Sequence, residues 1–308
     1  MTDLSPQTRF ALLEAGLDPR AVTDLVRRAL EEDLAGGVDA TTVATVPEAA
    51  LSSGELVARA EGVVAGLPVA AAVFDLAGGA VLTPVVAEGS VVAAGTPVAA
   101  VAGRTRVLLT AERTALNLLG RLSGIATLTA VWVAAVHGTG ASVRDTRKTT
   151  PGLRALEKYA VRTGGGVNHR MSLSDAAMVK DNHVVAAGGV VAAFEAVRSA
   201  FPDLPVEVEA DTVDDAVRAV EAGADLVLLD NMPVAELRRA VSLVAGRARL
   251  EASGGLTLDT AHAVAETGVD YLAVGALTHS AQVLDIGLDL QALPEVRQPV
   301  PDADPSGV

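Results

Sequence analysis

A chain of 308 residues with 50% hydrophobic content can bury one large core or two smaller ones, and its net charge of −14 and pI near 4.7 argue against nucleic acid or anionic membrane as a partner. The absence of cysteine excludes disulfides, thiolate metal sites and cysteine nucleophiles. No apolar run is expected to reach the roughly 18 residues of a membrane span, and MTDLSPQTRF at the start lacks the regions of a signal peptide, so a cytoplasmic protein is expected.

Residues 52–110 run as short valine- and alanine-rich segments broken by glycine, as in GVVAGLPVA and EGSVVAAGTPVAAVAG, and read as a small β-rich module. The second phrase is similar to the hammerhead of biotinyl and lipoyl carrier domains. A carrier needs a lysine to acylate, and no lysine precedes Lys148, so that function is rejected and the sandwich geometry kept. Residues 111–136 read as a largely buried helical linker, interrupted at Gly120 and Gly124, with Arg113 and Asn117 one turn apart. Arg113 taken alone reads as an exposed charge near a helix start.

The basic content then concentrates. From Arg144 to His183 there are eight Lys and Arg against four Asp and Glu, and all three lysines of the chain, Lys148, Lys158 and Lys180, lie there. In a chain that otherwise uses arginine, a retained lysine points to a site wanting a compact point charge with rotatable donors. Pro151 suits a helix start and Gly164 its end, so Arg154, Lys158 and Arg162 read as the exposed charge row of a helix. Arg147, Lys148, Arg170 and Lys180 fall in strand-like or irregular contexts, where that account fits less well. Gly164 to Gly166 read either as a lid hinge or as a tight turn. His137, His183 and His262 do not read as a metal set.

Beyond residue 200 apolar runs recur at VEVEAD (206–211), DLVLLDN (225–231), ARLEASGG (248–255) and DYLAVGA (270–276), separated by capped helical segments. Strands this apolar belong in a parallel sheet covered by helices, and an α/β barrel is the expected closure. These runs end in charged or glycine-rich residues, Glu209, Asp230 with Asn231, Ser253 with Gly254 and Gly255, and Gly275 with His279, as the earlier strand-like stretches end at Arg147 with Lys148 and at Lys180. At the carboxyl ends of parallel strands these converge on one mouth. The glycine-rich turns supply backbone donors for phosphate, and Glu209 with Asp230 supplies oxygen ligands suited to Mg²⁺. The pattern predicts a site for an anionic, phosphorylated ligand.

The segments EEDLAGGVDATT (31–42), AERTALNLLGRLSGIAT (111–127), DTRKTTPGLRALEKYAVRTGGGVNHRMSLSDAAMVKDNH (145–183), VEVE (206–209), LLDN (228–231), EASGGL (251–256) and VGALTHS (274–280) together resemble the quinolinate phosphoribosyltransferases, or carboxylating nicotinate-nucleotide pyrophosphorylases. The resemblance runs from about residue 10 to about residue 292; one departure is Val38, where the family usually has glycine before Asp39. It implies an N-terminal β-rich α/β sandwich domain (1–116, joined by 281–297) and an open or incomplete α/β barrel catalytic domain (117–280); the Pro-rich end of the chain reads as a disordered tail (298–308). It implies transfer of phosphoribosyl from phosphoribosyl pyrophosphate to quinolinate, with decarboxylation, in a homodimer. Arg147, His169, Arg170 and Lys180 would bind the quinolinate carboxylates, with Arg113 reaching in from the neighbouring subunit. Lys148 would contact pyrophosphate, Glu209 and Asp230 would hold ribose hydroxyls and Mg²⁺, and Ser253, Gly254, Gly275 and His279 would cradle the 5′-phosphate. Three other readings are weighed: a related phosphoribosyltransferase acting on another base, a non-catalytic anion-binding module, and a Schiff-base aldolase using Lys180.

Overall fold

The computed structural model describes residues 2–292; the tail expected over 298–308 lies outside them. Three helices open the chain, α1 (Pro6–Glu14), α2 (Pro19–Leu34) and α3 (Ala40–Thr45), each begun by a side-chain cap: Ser5, Asp18 and Asp39 accept from the backbone N–H groups of Thr8, Arg20 and Thr42. The turn between α2 and α3 places its positive φ angles on Ala35 and Gly36, so valine at position 38 is accommodated without strain.

A small α/β layer follows, with β1 (Leu51–Ala58), β2 (Gly62–Val63), α4 (Leu67–Gly78), β3 (Val81–Pro84), β4 (Val91–Val92) and β5 (Pro97–Arg104). The β-rich expectation for residues 52–110 is corrected at α4. From Leu67 to Leu76 every residue but Ala71 is buried, and a run that is apolar all round carries no period by which helix and strand can be told apart. The antiparallel sheet has the order β12–β1–β5–β3, its edge supplied by β12 (Ile286–Ala292) from the far end of the chain; Ala58 pairs with Ile286 and Ser52 with Ala292.

The next helix, α5 (Thr105–Ala135), is continuous for 31 residues, which corrects the expected breaks at Gly120 and Gly124. Those glycines admit the returning chain. A Cβ on Gly124 would stand 1.9 Å from the Gln282 carbonyl oxygen and one on Gly120 2.8 Å from that of Leu284, whose N–H donates to the Gly120 carbonyl at 3.0 Å. By length and composition α5 could also cross a membrane, contrary to expectation, because no Asp, Glu, Lys or Arg separates Arg121 from Arg144. In this fold it is the central helix, packed on α4 and on α6 (Arg154–Thr163).

The second half alternates strands and helices: β6 (Ser142–Arg144), α6, β7 (Ala177–Val179), α7 (Asp181–Ala187), α8 (Val190–Ala200), β8 (Val206–Ala210), α9 (Val213–Glu221), β9 (Leu226–Asp230), α10 (Val234–Val244), β10 (Arg249–Ser253), α11 (Leu258–Ala265), β11 (Tyr271–Ala273) and α12 (Ala276–His279). The strands form one parallel sheet in the order β6–β11–β10–β9–β8–β7, with β6 and β7 as its two edges, as an open barrel requires. Thr212 caps α9 through the N–H of Asp215, as its spacing predicts.

Candidate active site

The carboxyl ends of the parallel strands enclose a cavity of about 780 Å³. Every residue expected at the mouth lines it (Arg147, Lys148, His169, Arg170, Lys180, Glu209, Asp230, Ser253, Gly254, Gly275 and His279) except Arg113, which is exposed on α5 and lies outside.

The loop after β6 is held by two buried charges. Asp145, 0% exposed, accepts from Lys158 Nζ at 2.5 Å, from Asn168 Nδ2 at 2.5 Å and from the His169 N–H at 2.8 Å. Lys158 is also 0% exposed and donates to the carbonyl oxygens of His169 and Arg170, so one ammonium ties the 145–148 loop to the 168–170 loop. Burial pushes its pKa down, against the opposing pull of Asp145. This corrects the exposed charge row expected for α6: Arg162 is exposed and Arg154 half-buried, but the turn between them faces the core. The helix also starts at Arg154, leaving Pro151 in the preceding turn. Glu157, equally buried, accepts from Arg121 and from both the N–H and hydroxyl of Thr150. The Thr278 hydroxyl donates to the Lys148 carbonyl at 2.8 Å and joins the α12 turn to the same loop.

Two arginines stand on this frame. Arg147 Nε is buried without a hydrogen-bond partner among the described residues. The Arg170 guanidinium donates to the Ala176 carbonyl at 2.9 Å, and its pKa is lowered by burial and then by the neighbouring Arg147. Two cations that repel across a cavity, one with an orphaned donor, form a receptor for an anion.

The facing wall is acidic at its rim. Lys180 Nζ lies 2.9 Å from Glu209 Oε2, and carboxylate oxygens of Glu209, Asp211 and Asp230 all fall within 4.8 Å of one another. Of these, Glu209 and Asp230 line the cavity, and their oxygen donors fit Mg²⁺. At the β9 and β10 ends, the Asn231 N–H donates to the Ser253 carbonyl at 2.8 Å. Gly254 has φ +88°, and a Cβ there would stand 2.2 Å from Asn231 Oδ1, so only glycine allows this approach.

Beneath the arginines His169 meets two buried glutamates, Glu207 and Glu251, to which the sequence assigns no role. His169 Nδ1 accepts the Arg170 N–H at 2.6 Å, while Nε2 stands 2.6 Å from Glu207 Oε2 and 3.7 Å from Glu251 Oε1. Glu251 receives Arg144 Nη1 at 2.6 Å, and the Arg144 guanidinium lies over the Tyr271 ring at 4.7 Å. Burial, and then the proximity of Glu207, push the Glu251 carboxyl up to about 7. The signal was present in VEVE and EASGGL, where glutamates interrupt strands that are otherwise apolar.

The comparisons with known proteins agree with this geometry. Residues 39–123 match the model of the quinolinate phosphoribosyl transferase N-terminal domain, and residues 125–289 that of its C-terminal domain. The nicotinate-nucleotide pyrophosphorylase [carboxylating] of Mycobacterium leprae is 53% identical over 277 residues, covering 88% of this chain and 97% of its own. The solved NadC of Streptococcus pyogenes superposes with a TM-score of 0.87 at 41% identity, over 90% of this chain and 99% of its own. The nicotinate-nucleotide pyrophosphorylase of Francisella tularensis gives 0.83 at 36% identity, over 88% and 96%. With both domains matched across most of its length, and a cationic strand-end cavity where the two acidic substrates would meet, the chain belongs to the quinolinate phosphoribosyltransferase family.

Proposed function

We propose that this cavity joins quinolinate to phosphoribosyl pyrophosphate, giving nicotinate mononucleotide, pyrophosphate and carbon dioxide for NAD biosynthesis. The observation that carries the reading is the paired, partly unsatisfied Arg147 and Arg170 set against the carboxylates of Glu209 and Asp230 in one cavity. The arginines take the dicarboxylate, planar fork against planar carboxylate. Ser253, Gly254, Gly275 and His279 cradle the 5′-phosphate, and Glu209 and Asp230 hold the ribose hydroxyls. The same two carboxylates would hold Mg²⁺, which when bound supplies positive charge to the pyrophosphate oxygens.

Lys148 is exposed into the cavity from a loop fixed at both ends, and it places an ammonium against the departing pyrophosphate. As the bond from C1′ to that pyrophosphate breaks, the pyridine nitrogen forms its bond to C1′. The nitrogen becomes cationic and draws the electron pair as the bond from C2 to its carboxylate breaks, releasing carbon dioxide; C2 then takes a proton. Arg113 lies outside the cavity of its own chain; in this reading it serves the site of a second copy in a homodimer. Lys180 Nζ is engaged by Glu209 at 2.9 Å, which favours a binding role over that of a Schiff-base nucleophile.

The test supplies quinolinate labelled at its 2-carboxylate with phosphoribosyl pyrophosphate and Mg²⁺, and measures labelled carbon dioxide and nicotinate mononucleotide together. Stoichiometric appearance of both, with nicotinate unable to substitute, is the expected result; binding of phosphoribosyl pyrophosphate without either product would move the assignment to another base. Replacing Lys148 with Ala is expected to lower kcat by about 10²-fold, the usual size for loss of one such stabilising group.

A further inference from the structure

Glu207 and Glu251 take no part in the proposed transfer, yet they are 3% and 0% exposed at the base of its cationic subsite. Glu207 and Glu209 are two apart on β8 and so share one face of the strand; Glu209 meets the cavity while Glu207 turns to His169. His169 Nε2 is in contact range of both buried carboxylates without being aligned as a hydrogen bond on either, and Oε1 of each glutamate has no partner among the described residues. A shared metal ion accounts poorly for this set. Two atoms bound to one zinc at about 2.0–2.1 Å stand about 3 Å apart or more, whereas Nε2 and Glu207 Oε2 are separated by 2.6 Å, a charge-assisted contact.

The tautomer follows from the other ring nitrogen. Nδ1 accepts the Arg170 N–H at 2.6 Å, and a nitrogen that accepts carries no proton, so the ring proton sits on Nε2 and faces the glutamates. Nδ1 is thereby taken by the backbone, and Nε2 is held 2.6 Å from Glu207 Oε2, short of an aligned hydrogen bond. Arg144 anchors Glu251 from behind, and Lys158 holds the carbonyl oxygens of both His169 and Arg170. The imidazole is a strut between the sheet and the backbone of Arg170.

We propose that Glu207 and Glu251 are positioning residues that fix the tautomer and tilt of His169, and through it the Arg170 backbone and guanidinium, so that His169 acts through Arg170 and offers no ring nitrogen to the substrate. The inference rests on reading the cavity as the quinolinate site, and it departs from the expectation that His169 binds a carboxylate directly. Glutamate is needed at 207 and 251 for its oxygen acceptors, so Gln serves in part and Leu does not.

With five histidines in the chain, ring-¹⁵N spectra of the full-length protein are tractable, and the signal lost in His169→Gln identifies the residue. The expected spectrum is an Nε2–H tautomer with a hydrogen-bonded Nδ1, unchanged when quinolinate is added to saturation. Glu207→Leu and Glu251→Leu should mix the tautomers and raise KM for quinolinate about tenfold or more, about 1.4 kcal/mol, with KM for phosphoribosyl pyrophosphate within about twofold; Gln at either position should restore most of the affinity. An Nδ1–H tautomer in the free protein, or a ring signal that changes partner on adding quinolinate, overturns the proposal. So does an equal rise in both KM values. If the Leu variants fail to fold, the wild-type spectra and the Gln variants still decide. If quinolinate does not bind at all, the substrate reading fails, and the free-state tautomer together with its response to the Glu substitutions decides the positioning role.

Discussion

In the sandwich half, α4 and the antiparallel sheet bury Val69, Val73, Phe74 and Val101 at 0–1% exposure, and Asp75 is the one buried carboxylate among its described residues. In the parallel half the interior holds Asp145, Glu157, Lys158, Glu207 and Glu251, all at 0–3%. The first arrangement stabilises by removing apolar surface from water, about 1.5–3 kcal/mol for each large side chain. The second is costly, because a charge taken out of water is compensated only if its partners are placed for it. Both halves bury an apolar core, Val208, Val227 and Leu229 at 0% in the parallel half; the contrast teaches that the parallel half adds buried charges for the shape they impose on the two arginine-bearing loops.

Breaking the buried pair is the strongest test of that contrast. Lys158→Met leaves Asp145 uncompensated and is expected to cost about 3–5 kcal/mol in urea unfolding, with both kcat and quinolinate KM degraded in the folded fraction. Replacing Asp145 and Lys158 together with apolar residues should recover much of the stability and none of the activity, which separates the two roles. Phe74→Ala in the sandwich is expected to cost a similar 3–5 kcal/mol or so by cavity formation, yet leave KM for quinolinate within about twofold.

A gentler probe is pH. Glu251 is raised to about 7 by burial and Glu207, so below its ordinary value of 4.5 both folded and unfolded chains hold the proton. As pH rises through that window the unfolded chain releases it first, the folded state binds more protons, and stability falls, by at most about 1.4 kcal/mol per pH unit. Glu251→Gln should flatten this slope, seen as a urea midpoint less dependent on pH. Smallest of all is Arg27→Ala, which removes an exposed pair with Asp3 at 3.3 Å and is expected to shift stability by less than about 1 kcal/mol. A larger loss there would show that surface charge also supports the sandwich half.

The strands of the parallel half were legible because apolar runs end in Asp, Asn or Gly at near-regular spacing, and the cavity because charged residues stand at those ends. The helix α4 was not, since burial on all sides erases the period. The inward turn of Lys158 was hidden for another reason. An i, i+4 spacing says which residues share a face, and only packing against α5 and α12 decides which face is buried. Its partner Asp145 precedes the helix and meets it through the tertiary fold. Glu207 and Glu251 were visible in quoted motifs, but a glutamate inside a strand gains meaning only when its opposite number across the sheet is known.

The pairing of β1 with β12 bears on how the molecule is made. Synthesis delivers β1 early and β12 only after the whole parallel half has been translated, so the first sheet stays one strand short until the second is complete. Until then β1 presents an open edge, a hazard for pairing with another chain. The crossing of residues 282–284 over Gly120 and Gly124 then clamps the late strand to the central helix. Such long-range closure is slow and makes the two halves finish together. A nascent chain halted before β12 should therefore bind chaperones and resist release, whereas one extended through it should become resistant to protease across both halves at once.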